Sequence, residues 1–358
     1  MATERAGRSR RQILAGLATA VVVSGCGRRA MSDEDGVVTV ITVPGEIGVT
    51  PDLRRVALTN WGADFSAIGV CDLETGSAEV LRAGKKATLR MPALSPDGET
   101  IAFVAQPVDP MLQGLSSLCL APVSGGEVRR IGARATYYAP RFSADGRRIL
   151  AFAGDEAWGL VRLVEIDLVS GAEQVIWSGA FDGGSRAAYD PTGAGYWVGG
   201  NAPSRFFHAE EAKAWSAVEH ETKQGSITTF RILRKDEAPR PFSVNPDGPG
   251  HLVGVTQDEV VIQTFALETG YRALLVNRKG EVRRLWRSPR GDDLPDGWAV
   301  SADAKRVLAV RMQRDDADQP LGKYELTVFE TGPDENGRVL SRVLSSDLRA
   351  TFHDLNLP

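Results

Sequence analysis

Short apolar runs, each closed by a cluster of Pro, Asp, Gly or Ser, recur along this chain from about residue 37 to residue 346. Runs such as 161–168 and 324–329 alternate or stay apolar, as buried or half-buried strands do. One phrase stands out, a turn of the Pro-Asp-Gly kind followed at once by an apolar strand. Its clear copies are Leu94-Ser95-Pro96-Asp97-Gly98-Glu99-Thr100-Ile101-Ala102-Phe103 and Phe142-Ser143-Ala144-Asp145-Gly146-Arg147-Arg148-Ile149-Leu150-Ala151-Phe152. Weaker copies run from Val49 through Pro51-Asp52-Leu53 and from Val300 through Ala302-Asp303-Ala304.

The turn positions Asp52, Asp97, Asp145 and Thr192 are 45, 48 and 47 residues apart. The last lies at Asp303, and 45 residues before it stands a degenerate copy at Asp258. Between Thr192 and Asp258 the interval widens to 66. The Asn245-Pro246-Asp247-Gly248 sequence in that gap precedes Pro249-Gly250 rather than a strand, so it reads as a loop between units. In the second unit the pattern predicts strands over 89–94, 100–105, 117–123 and 127–131. Gly-bearing hairpin turns join the third and fourth strands at Glu74-Thr75-Gly76, Ser124-Gly125-Gly126, Val169-Ser170-Gly171 and Arg278-Lys279-Gly280. Four strands per unit at this period is the pattern of a propeller blade, and a β-sandwich with similar turns is the alternative.

The phrase at Leu94–Phe103 and Phe142–Phe152 resembles the TolB-type propeller repeat almost residue for residue, and the resemblance extends over about residues 37–346. It implies an all-β fold, a six-bladed β-propeller of four-stranded antiparallel blades over residues 37–358. The ring has to be closed by one chain end, and both 37–43 and 338–344 look like outer strands able to do it. The wide interval predicts a short helical insertion in the fourth blade, between its second and third strands. It is Ala- and Glu-rich, with Phe206, Phe207, Ala212, Trp215 and Val218 in it. The repeat register puts this insertion on one rim with the segments holding Trp61, Trp158 and Trp298, which makes Trp61, Trp158, Phe206, Phe207, Trp215 and Trp298 the expected binding rim. The plainer reading is that these aromatics glue the insertion to the ring.

The N-terminus follows different rules. Arg8-Ser9-Arg10-Arg11-Gln12-Ile13-Leu14 leads into the apolar run 13–23, and the pattern resembles a twin-arginine export signal with Arg10 and Arg11 as its pair. Val23-Ser24-Gly25-Cys26 follows directly and resembles a bacterial lipobox, which implies lipidation at Cys26. Residues 1–25 then form a signal peptide and 26–36 a polar tether. The expected location is the outer face of the cytoplasmic membrane, in the cell envelope, held through a lipid anchor. Of the other cysteines, Cys71 and Cys119 lie in the third strands of consecutive units, where two buried thiols are expected rather than a disulfide.

Formal net charge is −4; the first 25 residues carry +3, so the remainder is near −7. An acidic body without a basic tract argues against a nucleic-acid partner. No Gly-x-Ser-x-Gly elbow, Gly-rich phosphate loop or His-Glu-x-x-His occurs. The four histidines are scattered, and Asp315-Asp316-Ala317-Asp318 lacks the glycine and distal glutamate of an EF-hand. No catalytic residue, metal ligand or cofactor is expected. TolB-type propellers are recruited as protein-interaction platforms, so the resemblance implies a monomeric, non-enzymatic protein-binding or scaffold module with an envelope protein as partner. The alternatives are a propeller hydrolase or lactonase with a metal at the central channel, and small-molecule or glycan capture in that channel. The turn aspartates have a structural role available to them, bonding backbone N–H groups two residues on.

Overall fold

The computed structural model describes residues 44–358 apart from 62–65, 85–86, 109–114, 135, 155–160, 180–185, 192, 194, 200–220, 223–224, 227, 235–239, 245–249, 257–258, 267–269, 278–280, 288–292, 315–319 and 332–336. Some strand segments, including Trp61 and Trp298, are described by their backbone alone.

Strands dominate. The first sheet joins β1 (Pro44–Val49), β2 (Arg55–Trp61), β3 (Ser66–Asp72) and β4 (Ser77–Gly84) in sequence order. The second holds β5 (Ala87–Leu94), β6 (Thr100–Pro107), β7 (Ser117–Pro122) and β8 (Arg129–Ile131). The third holds β9 (Thr136–Phe142), β10 (Arg148–Gly154), β11 (Val161–Asp167) and β12 (Glu173–Gly179). The fourth joins β13 (Arg186–Tyr189) and β14 (Gly195–Gly199) to β17 (Thr228–Arg234) and β18 (Arg240–Val244). A two-stranded ladder, β15 (Glu221–Thr222) with β16 (Gly225–Ser226), lies between β14 and β17 in sequence. The fifth holds β19 (Gly250–Val255), β20 (Glu259–Ala266), β21 (Gly270–Asn277) and β22 (Val282–Arg287). The last holds β23 (Asp293–Val300), β24 (Arg306–Arg314), β25 (Pro320–Glu330) and β26 (Arg338–Leu344). After a 3-10 turn at Ser345–Asp347, β27 (Arg349–Asp354) returns to the first sheet and pairs with β4.

The innermost strands pack in a closed cycle: β1 on β5, β5 on β9, β9 on β13, β13 on β19, β19 on β23, and β23 on β1. Core clusters follow the same cycle, each shared by neighbouring sheets. Val56, Leu58 and Cys71 of the first sheet pack with Leu308, Val310 and Leu326 of the last. Ala57, Ile68 and Val70 turn the other way, onto Leu89, Ile101 and Phe103 of the second. The period of two along a strand sends alternate residues into different cores, so central strands read as unbroken apolar runs. Burying one such Val, Leu, Ile or Phe contributes roughly 1.5–3 kcal/mol.

The fold is therefore an all-β propeller of antiparallel sheets. The expectation of six four-stranded blades needs correction: five sheets have four strands, and the sheet built from the chain ends has five. The cause is the tail beyond residue 344, whose weakly apolar Arg349–Asp354 carries little strand pattern. Of the two outer-strand sequences, 338–344 completes the last sheet as β26, and 37–43 lies outside the described residues. The helix expected in the insertion falls almost wholly on undescribed positions. Residues 202–220 lie outside the described residues, the described part of the insertion is the β15–β16 ladder, and the described residues hold no α-helix. The insertion's position between second and third strands is as expected, since β14 pairs with β17. Likewise 245–249 joins β18 of one sheet to β19 of the next.

Candidate functional site

The repeated phrase builds one turn four times. A hydroxyl, Thr50, Ser95, Ser143 or Ser301, donates to the Asp two residues on at 2.5–2.7 Å. The same hydroxyl accepts the N–H of the first strand residue, Arg55, Thr100, Arg148 or Arg306. Asp52, Asp97, Asp145 and Asp303 each accept the N–H two residues further on, from Arg54, Glu99, Arg147 and Lys305. The third position is left-handed in every copy, at Leu53, Gly98, Gly146 and Ala304. In the fourth sheet Asp190 replaces the hydroxyl residue, keeps a left-handed Gly193, and accepts from the Trp197 indole N–H. In the fifth the turn is two residues shorter, with Thr256 accepting the Glu259 N–H, and Asp258 lies outside the described residues. Donors around the carboxylates hold Asp97 and Asp145 below the usual range, the serine hydroxyl first and the backbone N–H second. These aspartates are occupied by the turn.

A second repeated arrangement joins the innermost strands. Four residues before their turns stand Glu46, Met91 and Ala139. The Glu46 carboxylate accepts from the Met91 N–H and from Arg90 Nη2 at 3.0 Å. The Met91 sulfur in turn accepts the Ala139 N–H at 3.2 Å. Met91 and Ala139 both have positive φ, 51° and 50°, beside register shifts in β5 and β9. A bulge turns an N–H out of each ladder, and the side chain at the matching place in the preceding sheet takes it up.

Outside the ring of innermost strands, a cavity of about 100 Å³ opens between the first and second sheets, lined by Arg55, Asp72, Ser77, Glu79, Glu99 and Ser124. Arg55 Nη1 donates to the Gly98 carbonyl and to Glu99 Oε1, each at 2.8 Å. Asp72 accepts the Glu74 and Thr75 N–H groups. Glu79 Oε2 lies 2.6 Å from His353 Nε2 on β27. Burial pushes Asp72 up, and those N–H bonds outweigh it, leaving the carboxyl below its ordinary range. This chemistry suits holding two sheets and a tail together, and its exposed acids and Arg55 suit polar recognition. Among the described residues no group of three or more His, Cys, Asp or Glu is placed to hold a metal.

A further polar cluster bridges the third and fourth sheets. Glu165 accepts from Arg148 Nη1 at 3.2 and 3.3 Å and from the Tyr196 hydroxyl at 3.2 Å. Burial first, and the Glu165 charge second, push the Tyr196 hydroxyl up to about 12. Cys71 and Cys119 are buried free thiols, pushed up by burial to about 12 and about 11.

Of the residues expected on the binding rim, Trp61 ends β2 and Trp298 sits within β23, paired with Ala309, and neither side chain is described. Trp158, Phe206, Phe207 and Trp215, like Arg10, Arg11 and Cys26, lie outside the described residues. His353 was not among the expected site residues. It has only the His-Asp pair near the C-terminus as a local signal, and its partners come from residues 79 and 125.

No protein-family model matches the chain, and no curated protein matches it in sequence. Solved structures do match. TolB from Acinetobacter baumannii is 14% identical, over 85% of this chain and 66% of that one, with a TM-score of 0.50. The β-propeller domain of the Trilobed protease from Pyrococcus furiosus is 13% identical over 83% of this chain and 85% of that one, at 0.49. The acylaminoacyl peptidase of Pyrococcus horikoshii is 14% identical over 83% of this chain and 45% of that one, at 0.48. At such identities the likeness concerns the fold alone. The chain is a TolB-like β-propeller in fold.

Proposed function

We propose that the chain is an exported lipoprotein whose propeller binds a protein partner in the cell envelope without catalysing a reaction. The observation that carries the reading is the TolB-like ring, met together with an N-terminus that pairs a twin-arginine pattern with a lipobox at Cys26. Counting the five-stranded sheet as a blade, we read the ring as six-bladed. In such a ring the sheets hold each other through shared cores, which leaves the loops free to vary. The longest departure from the repeat is the insertion of residues 200–227, and we assign the partner-binding rim to it, with Trp61, Trp158, Phe206, Phe207, Trp215 and Trp298 around it.

The anchor and the rim are tested separately. Cys26→Ser is expected to move the protein from the membrane fraction to the soluble fraction and to abolish labelling by a fatty-acid analogue; lipid labelling that persists would overturn the anchor. Deleting residues 202–220 is expected to leave the propeller folded and to abolish in-cell crosslinking to its partner. A folded deletion variant that crosslinks as before would overturn the rim assignment.

A further inference from the structure

The C-terminal strand is built into the first sheet differently from every other described strand. All other described pairings are antiparallel, and β27 alone runs parallel to its neighbour, Arg349 opposite Ser77 through to Asp354 opposite Arg82. No hairpin ties it to β4. It reaches β4 from β26 of the last sheet through the 3-10 turn, with Arg349 N–H donating to the Gly76 carbonyl and Leu355 N–H to the Arg82 carbonyl at its two ends.

The groove that receives β27 is specific on both faces. Leu348, Ala350 and Phe352 turn toward the core shared by the first and last sheets. Leu355 and Leu357 turn the opposite way, into the core shared by the first and second sheets. His353, on that second face, lies over the Ser124-Gly125 turn so closely that a Cβ on Gly125 would stand 2.6 Å from the ring. It also reaches Glu79 at 2.6 Å, while Arg82 donates to Asp354 at 2.9 Å and covers the Phe352 ring at 5.1 Å. Beneath it, β4 is mostly buried, with Ala78, Val80, Leu81 and Ala83 at 5% exposure or less. Three outer strands of other sheets differ: β26 is largely exposed, and Val175 of β12 and Val282 of β22 stand at 43% and 45%. The middle of β27 is itself only half-buried, so the strand is held by its leucine anchors and its backbone rungs.

We propose that the outer edge of β4 is a strand-binding groove that accepts the Leu348–Pro358 sequence in trans as well as in cis, its occupant in trans being the tail of a second copy of this chain. A second copy carries the same anchors at the same spacing, so an exchanged strand keeps every contact seen here. Exchange of an identical element between copies is a low-cost route to a dimer. In the single chain the tethered strand competes at an effective concentration on the order of millimolar, which keeps the groove filled from within.

The test uses the chain truncated after Asp347 and a fluorescent synthetic peptide of residues 348–358. Saturable binding to the truncated protein is expected, with uptake by the full chain suppressed by about a hundredfold or more. A peptide carrying Leu355→Ala should bind at least about tenfold more weakly, the loss expected for one buried leucine. Equal binding to the full and truncated chains, no binding to a folded truncated chain, or indifference to Leu355→Ala would each overturn the proposal. If the truncated chain does not fold alone, refolding it with the peptide should restore the native circular dichroism spectrum, and failure to do so counts against the groove.

Discussion

The third sheet and the first are made from the same repeat, and they treat their outer edges in opposite ways. The third is made of four strands consecutive in the chain, β9 to β12, and β12 stays exposed at its edge. The first covers β4 with a strand from the far end of the chain, and the cores on both sides reach out to that strand. Local rules therefore suffice to form a sheet of this kind, whereas joining the chain ends takes residues that no local rule identifies. Where the closing strand lands, a surface edge becomes an interior one.

The largest effect that sharpens this contrast is expected at Leu355. Leu355→Ala should cost about 2–4 kcal/mol in urea unfolding, because it empties a core position between the first two sheets. Val175→Ala on the exposed outer strand of the third sheet should cost under about 0.5 kcal/mol. Equal losses would break the comparison.

The turns come next. Ser143→Ala removes the acceptor of the Arg148 N–H and the donor to Asp145, and should cost about 1–3 kcal/mol by the same measurement. Gly98→Ala and Gly146→Ala both place a side chain at left-handed φ, about 1–2 kcal/mol each. Gly98→Ala should be the worse of the two, since its Cβ would stand 2.7 Å from Arg55 Cδ, while the nearest atom to Gly146 is Pro96 Cδ at 3.4 Å.

The smallest effect is the acid response. Asp97, Asp145 and Asp303 are held below their ordinary value of 3.8, first by the serine hydroxyls. Their contribution is complete above that value and is lost as pH falls through the depressed folded values. Stability should therefore fall more steeply below about pH 4 in the parent than in Asp145→Asn, seen as a smaller shift of the urea midpoint between pH 5 and pH 3 in the variant.

Much of this was readable locally. The second sheet's strands lie within a few residues of the positions read from the apolar pattern, because turn chemistry punctuates them. The bond from each turn Asp to the N–H two residues on depends on three or four neighbouring residues, so the repeat announces it. Leu53 and Ala304 show why the weaker copies still work. The hydroxyl and carboxylate keep the turn, and the missing glycine is accommodated by strain, with Leu53 also buried in a core. The short turn at Thr256 and the Asp190–Trp197 bond departed from the phrase and were correspondingly faint. Nothing at Glu46 signals that it caps an N–H forty-five residues away, and nothing at His353 signals Glu79.

The sequence by itself determined the all-β propeller, the positions of the turns at Asp52, Asp97, Asp145 and Asp303, the place of the insertion, and two buried thiols at Cys71 and Cys119. Those properties follow from period-two burial and from hydrogen bonds that close within a few residues. Only the tertiary structure decided that 338–344 completes the last sheet and that the tail beyond it becomes a parallel fifth strand of the first. The tail's six central residues are half-polar and carry little strand signal of their own; they become a strand because β4 offers backbone rungs, and because two cores from different pairs of sheets meet on either side of it.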